Sequence, residues 1–164
     1  MNNLDQILSR VLDQGQLLAK LHIWEKENKK VVFTNGVFDI LHLGHVDYLS
    51  KAADEGDILI VGVNSDSSVK MLDKGSSRPI NDEKSRSVLI ASLNFVDAVV
   101  LFDEDTPYKL ISKVKPDVLV KGSDYKPEDI VGYDIVSAKG GSIKTIDFLP
   151  GYSTTLIENK IKNS

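Results

Sequence analysis

Two imidazoles stand three positions apart in the segment His42-Leu43-Gly44-His45. Before them runs Lys29 to Thr34, a β-branched and aromatic stretch ending in Asn35-Gly36, which reads as a buried strand leaving through a turn. After them, His45 to Ala53 spaces Val46, Leu49 and Ala52/Ala53 along one helical face. Strand, turn, histidines and helix in that order place both imidazoles at a helix N-terminus, where backbone N–H groups lack partners and favour an anion. Gly44 removes bulk between the rings. Such a pair can meet a phosphate. If that phosphate is the α-phosphate of a nucleoside triphosphate, both histidines and the helix end stabilise charge on its oxygens as an acceptor phosphate attacks in line. Pyrophosphate then leaves without a covalent enzyme intermediate. An acceptor phosphate is already ionised near neutral pH, so no general base is required. The neighbouring Asp39 accordingly takes an orienting or acceptor-contacting role.

The competing reading of a histidine pair is a metal site or polar packing. Zinc would need further ligands, yet the chain has no cysteine and three histidines in all. The third, His22, lies in a helical region with no motif around it and reads as surface or packing. No metal ligand set emerges.

The elements that position this motif follow from apolar spacing. Leu4 to Leu21 recurs at helical spacing with an interruption around Gln14-Gly15-Gln16, so two short amphipathic helices are predicted. Residues 1–28 form a helical extension on this reading, and residues 29–164 the main domain. Beyond the first strand, strands are predicted at Ile58–Val63, Ala98–Phe102, Val118–Lys121 and Ile143–Phe148. Helices fall at Ser85–Phe95, Pro107–Val114, Asp129–Ala138 and from Ser153 or Thr154 to Ile161. Near-continuous apolar strands alternating with helices imply an α/β fold: a Rossmann-like, doubly wound, mostly parallel five-stranded sheet with helices on both faces. Ligands in such sheets bind beyond the carboxyl ends of the strands. The dinucleotide fingerprint G-x-G-x-x-G is missing after the first strand, which removes the main support for a nicotinamide or flavin dehydrogenase.

Composition narrows the classes further. A chain of 164 residues, 41% hydrophobic, suits one domain, and no apolar run approaches the length that spans a bilayer. The N-terminus lacks an export signal, so a soluble cytoplasmic protein with no membrane partner is expected. A net charge of -4 argues against a nucleic-acid partner.

Gly36-Val37-Phe38-Asp39-Ile40-Leu41-His42-Leu43-Gly44-His45 resembles the GxFDxxHxGH signature of the cytidylyltransferase-like nucleotidyltransferases, which include glycerol-3-phosphate cytidylyltransferase and archaeal FAD synthetase. From about Lys29 to Ile161 the segments TNGVFDILHLGHVDYL, VGVNSDSSVK, RPIN, DEDTP, PDVLVKGSDY and STT are similar to the heptose 1-phosphate adenylyltransferases of lipopolysaccharide-precursor synthesis. The resemblance implies transfer of AMP from ATP, with Mg²⁺, to D-glycero-D-manno-heptose 1-phosphate, giving ADP-heptose and pyrophosphate. Bifunctional forms carry a sugar kinase as well, and at this length the chain resembles the stand-alone version. A homodimer is expected, since relatives are often dimers. The same machinery admits a cytidylyltransferase acting on glycerol 3-phosphate or another polyol phosphate, or a nucleotide-binding regulator without turnover.

Carried onto this sequence, the resemblance implies that Val37 and Phe38 bring the backbone under the nucleotide. His42 and His45 bind the triphosphate and stabilise the transition state. Lys74, in Asp73-Lys74-Gly75-Ser76-Ser77, reaches the phosphates as a glycine loop closes. Arg78 matches a position near the acceptor phosphate, and Arg86 one near the nucleotide. After the fourth strand, Lys121-Gly122-Ser123-Asp124-Tyr125 places Asp124 and Tyr125 at the nucleotide, with Lys121 contacting phosphate or capping the strand end. Many relatives read KGGDY, so Ser123 is a mild departure. Gly151-Tyr152-Ser153-Thr154-Thr155 offers hydroxyls and free N–H groups as a second anion cradle and an N-cap. Asn64-Ser65-Asp66-Ser67 either contacts substrate or caps a following helix.

Overall fold

A computed structural model describes residues 1–72 and 77–164. Its centre is the run Ile58–Asn64, seven consecutive buried residues forming β3. A strand buried on both faces needs apolar side chains in both directions, and ILIVGVN supplies them. Around it lie β1 (Val11–Leu12), β2 (Val31–Gly36), β4 (Ala98–Phe102), β5 (Val118–Gly122) and β6 (Ser142–Ile146). All neighbours pair parallel in the order β1-β4-β3-β2-β5-β6.

Alternation along the strands divides the core in two. Phe33, Ile60, Val100 and Leu119 face one way and pack with Leu17 of α2 (Gln14–Lys26), Leu110 and Ile111 of α6 (Tyr108–Val114) and Val136 of α7 (Tyr133–Lys139). Val32, Leu59, Val61, Val99 and Val120 face the other way, onto Leu49 and Ala52 of α3 (Leu43–Ala53) and Ile90 and Ala91 of α5 (Glu83–Ala91). The doubly wound sandwich expected from the sequence is thus realised. From β2 the chain steps outward through β3 to β4, then returns to β5 on the other side of β2. That reversal opens a crevice beyond the end of β2.

The sheet has six strands rather than five. The additional one, Val11–Leu12, pairs with Val99 and Val100 at the edge. It lies where the sequence suggests only a break between helices, and the break itself falls earlier than Gln14-Gly15-Gln16. Asp13 accepts from the Gln16 backbone N–H while the Gln16 side chain accepts from the Asp13 backbone, a capping box that makes those residues the first turn of α2. Other elements also differ from the sequence reading, among them β6, which ends at Ile146, and α5, which spans Glu83–Ala91. A short helix α4 (Asp66–Met71) follows β3, with the Ser65 hydroxyl accepting from Ser68 N–H as its cap. The helix expected from Asp129 starts only at Tyr133, because Pro127–Asp129 forms a 3₁₀ turn and Gly132 sits at a positive φ of 92°. The remaining helices are α1 (Asn3–Leu8) and α8 (Thr154–Lys162). No helix is long and apolar enough to cross a membrane among the described residues.

Candidate active site

A cleft of about 970 Å³ opens beyond the carboxyl ends of β2, β3 and β5. Of the residues singled out from the sequence, Val37, Phe38, Asp39, His42, His45, Arg78, Lys121, Asp124, Tyr125, Ser153, Thr154 and Thr155 line it together. Gly151 and Arg86 do not line it. Lys74 lies outside the described residues.

His42 is the N-cap of α3, and its carbonyl accepts from His45 and Val46 N–H as the helix begins. One helical turn brings the rings of His42 and His45 into a stack, 3.7 Å between centroids and 21° from parallel. The glycine between them is required by contact. A Cβ on Gly44 would lie 3.0 Å from His42 Nδ1 and 3.1 Å from Tyr152 Cβ, tighter than ordinary packing. Replacing Gly44 with alanine should therefore bring no net gain in stability, because the better helix propensity of alanine, about 1 kcal/mol, is offset by overpacking against His42 and Tyr152. Turnover should nonetheless fall about tenfold as the His42 ring is displaced. Thermal melts and initial rates on the same preparation check both halves.

Burial lowers the pKa of His45 to about 4, with the adjacent His42 adding to the effect and the Ile40 carbonyl opposing it. Burial also lowers His42. In the free chain at neutral pH the pair is therefore uncharged, and each ring carries one N–H donor. Both Nδ1 atoms are buried with no hydrogen-bond partner among the described residues, so the pair holds unspent hydrogen-bonding capacity. Phe38 closes the stack edge-on against His45 at 5.3 Å. Its backbone sits in the left-handed region, φ 51°, a costly conformation for an aromatic residue that persists only where the surroundings enforce it. Gly36 allows the ring to lie back on the strand, since a Cβ there would meet Phe38 Cζ at 2.9 Å.

Asp39 is already engaged by three donors. Its oxygens accept from Ile80 N–H (2.8 Å), Asn81 N–H (2.9 Å) and Arg78 Nη1 (2.9 Å). Burial pushes its pKa up, but those donors outweigh it and hold the carboxyl below the usual range. Asp39 thus clamps the 78–81 segment to the histidine loop. Arg78 reaches across to donate from Nη2 to Glu158 on α8 at 2.8 Å.

On the other wall, Lys121 donates to Asn35 Oδ1, its neighbour across β2 and β5. Burial lowers the lysine to about 8, with Asp124 partly restoring it. A largely buried ammonium with one side-chain acceptor is well placed to receive a phosphate oxygen. Tyr48 shares a 2.8 Å hydrogen bond with Thr34, and burial pushes its phenol up to about 12, so it remains neutral.

Three comparisons with known proteins bear on this arrangement. The model of the family described as cytidylyltransferase-like matches residues 33–160, the strand, histidine loop and closing helix included. The chain belongs to the cytidylyltransferase-like family. It is similar to the bifunctional protein HldE of Campylobacter concisus, at 57% identity over 85% of this chain and 29% of the relative. The HldE of Nitratiruptor is 58% identical over 92% of this chain and 31% of its own length. The chain thus spans about a third of these curated relatives. Among solved structures, a lipopolysaccharide core biosynthesis protein from Thermoplasma volcanium is 35% identical with a TM-score of 0.59, over 74% of this chain and 97% of that one. Pantoate-beta-alanine ligase from Francisella tularensis, 17% identical with a TM-score of 0.63 over 94% and 78% of the two chains, shares the fold.

Within this nucleotidyltransferase frame, Arg86 departs from the place that the sequence suggests. It is fully buried. It donates to Val37 O (2.8 Å), Asn81 O (3.0 Å) and Asp66 Oδ1 (2.8 Å), so all three faces of the guanidinium are occupied by protein. It supports the Val37–Phe38 backbone from below the cleft. In the 64–67 segment Ser65 caps α4, while Asn64 lines the cleft and donates from Nδ2 to Ser68 Oγ at 2.9 Å. Sequence reasoning missed Asn35 as partner of Lys121, Asn81 as partner of Asp39 and Arg86, and Glu158 as partner of Arg78. The alternation of β2 could have suggested Asn35. The other two are remote in sequence from their partners and carry no local signal.

Proposed function

We propose that the cleft transfers AMP from ATP to D-glycero-D-manno-heptose 1-phosphate, giving ADP-heptose and pyrophosphate. The observation that carries this reading is the stacked, neutral histidine pair set at the start of α3 in one cleft with Ser153–Thr155. Imidazole N–H groups and helix-end amides aim at the α-phosphate, where charge grows as the acceptor phosphate attacks and pyrophosphate leaves. Because they are fixed before the ligand arrives, they need little reorganisation during the step. Lys121 supplies positive charge for the phosphates, Arg78 offers hydrogen-bond donors to the acceptor phosphate while paired with Asp39 and Glu158, and Lys74 is a further cation for the triphosphate. No proton has to be removed, which agrees with an Asp39 carboxylate whose oxygens are already bound.

The sugar acceptor rests on the sequence resemblance and on the kinship with a lipopolysaccharide core biosynthesis protein. Asn64, Asp105, Thr106 and Asp129 add hydroxyl-binding groups along the same cleft, as a polyol body requires. Mg²⁺ fits as a companion of the triphosphate. No group of three His, Asp or Glu side chains gathers among the described residues, and this ion is commonly held by phosphates and water. Its charge would neutralise the departing pyrophosphate. Residues 29–164 carry the chemistry, in a cytoplasmic homodimer; residues 1–28 are no separate helical extension, since β1 edges the sheet and Leu12 and Leu17 enter its core.

Pyrophosphate release with Mg²⁺ across ATP and CTP, each paired with heptose 1-phosphate and glycerol 3-phosphate, tests the proposal. Release is expected with ATP and heptose 1-phosphate alone. Release with CTP and glycerol 3-phosphate instead would replace it with a cytidylyltransferase, and binding without release from any pair would favour a regulator.

A further inference from the structure

Helix α8 is held in an unusual way. None of its residues is buried, and Leu156 and Ile161 are 52% and 68% exposed. Among the described residues, its one side-chain hydrogen bond or ion pair to another element runs from Glu158 to Arg78, at 2.8 Å. Both partners are shielded, with 15% and 19% of their side chains exposed. Arg78 in turn is anchored on Asp39, whose carboxylate is fixed by two backbone N–H groups. A chain of contacts therefore leads from the histidine loop through Asp39 and Arg78 to Glu158.

The N-terminus of the same helix is part of the cleft. Ser153 Oγ accepts from Leu156 N–H, and no other hydrogen bond occupies the Thr154 and Thr155 N–H groups among the described residues. Those two amides and their hydroxyls form the anion cradle. A helix with so little buried surface would have to be ordered each time the cradle is filled, and ordering costs affinity. A tether that fixes the helix beforehand removes that cost.

We propose that Glu158 is a positioning residue for the nucleotide: by holding Arg78, it fixes α8 and presets the Ser153–Thr155 cradle against the histidine pair. This rests on the nucleotide reading of that cradle. The inference makes a prediction opposite in sign to plain electrostatics. Glu158 is a negative charge on the helix that meets an anionic ligand, so removing the charge should by itself tighten ATP binding. Loss of the tether should weaken it.

The test is Glu158→Gln in the full chain, with ATP dissociation constants by calorimetry and amide hydrogen exchange across residues 153–162. We expect ATP binding to weaken about fivefold or more, KM for ATP to rise in step, and kcat at saturation to stay within about twofold. Exchange of the α8 amides should quicken in the free protein, and Glu158→Asp should recover most of the affinity. Unchanged or tighter ATP binding in Glu158→Gln would overturn the proposal. If the wild-type chain binds no ATP, the nucleotide reading fails instead, and exchange alone decides the tether: α8 protection equal to that of the wild type removes it.

Discussion

His45→Ala should lower kcat at least tenfold, toward the loss of about 10²–10³ that follows removal of one preorganised donor from a transition-state site. ATP affinity and the far-UV circular dichroism spectrum should stay close to those of the wild type. The ring touches Phe38 and His42 in a cleft wall and carries little of either core face, so truncation leaves the sheet intact. Normal turnover in the variant would take His45 out of the transition state. The same substitution has a signature in stability. The folded pKa is about 4 against an ordinary 6.5, so between those values the unfolded chain binds a proton that the folded chain does not. The stability linked to His45 is therefore complete above pH 6.5 and is lost as pH falls toward 4, by up to about 3 kcal/mol. The urea midpoint should fall less between pH 7 and pH 4.5 in His45→Ala than in the wild type. Parallel losses in the two proteins would show that His45 does not carry the linkage.

Arg86→Ala should be the most destabilising change at a site residue, at about 3–5 kcal/mol. Removing the guanidinium leaves the Val37 and Asn81 carbonyls without this donor and opens a cavity where the largest fully buried side chain among the described residues stood. For a chain of this size the melting temperature should fall by about 10 °C or more. Arg86→Lys should recover little, because one ammonium on a flexible stem cannot span three acceptors spread around a planar fork. Activity lost through Arg86 is then lost through a disordered Val37–Phe38 backbone. A variant that keeps its melting temperature and loses kcat would instead make Arg86 a direct participant in the chemistry.

Much of the molecule could be read without its structure because the determining contacts are local. Continuous apolar runs such as Ile58 to Val63 must be buried on both faces, and that alone implies a covered parallel sheet. The histidine pair, its glycine and the helix that follows lie within one turn of chain, so their stacking at 3.7 Å was implicit in the spacing. The hydroxyl cap at Ser153 is equally local. Strand β1 was hidden because two residues carry no period, and only the exposed edge of β4 gives them a partner.

What the tertiary structure decided is which distant groups each charge meets. Arg78, Arg86 and Lys121 are alike in sequence as cations near motif positions. Folding binds the first to two carboxylates, one of them 80 residues away, seals the second beneath the cleft, and leaves the third on the wall beside Asn35. Helical and strand periods report which face of an element is apolar, through neighbours a few positions apart. The role of a charge depends instead on its solvation and on the groups that approach it from other elements, and those exist only once the sheet has assembled.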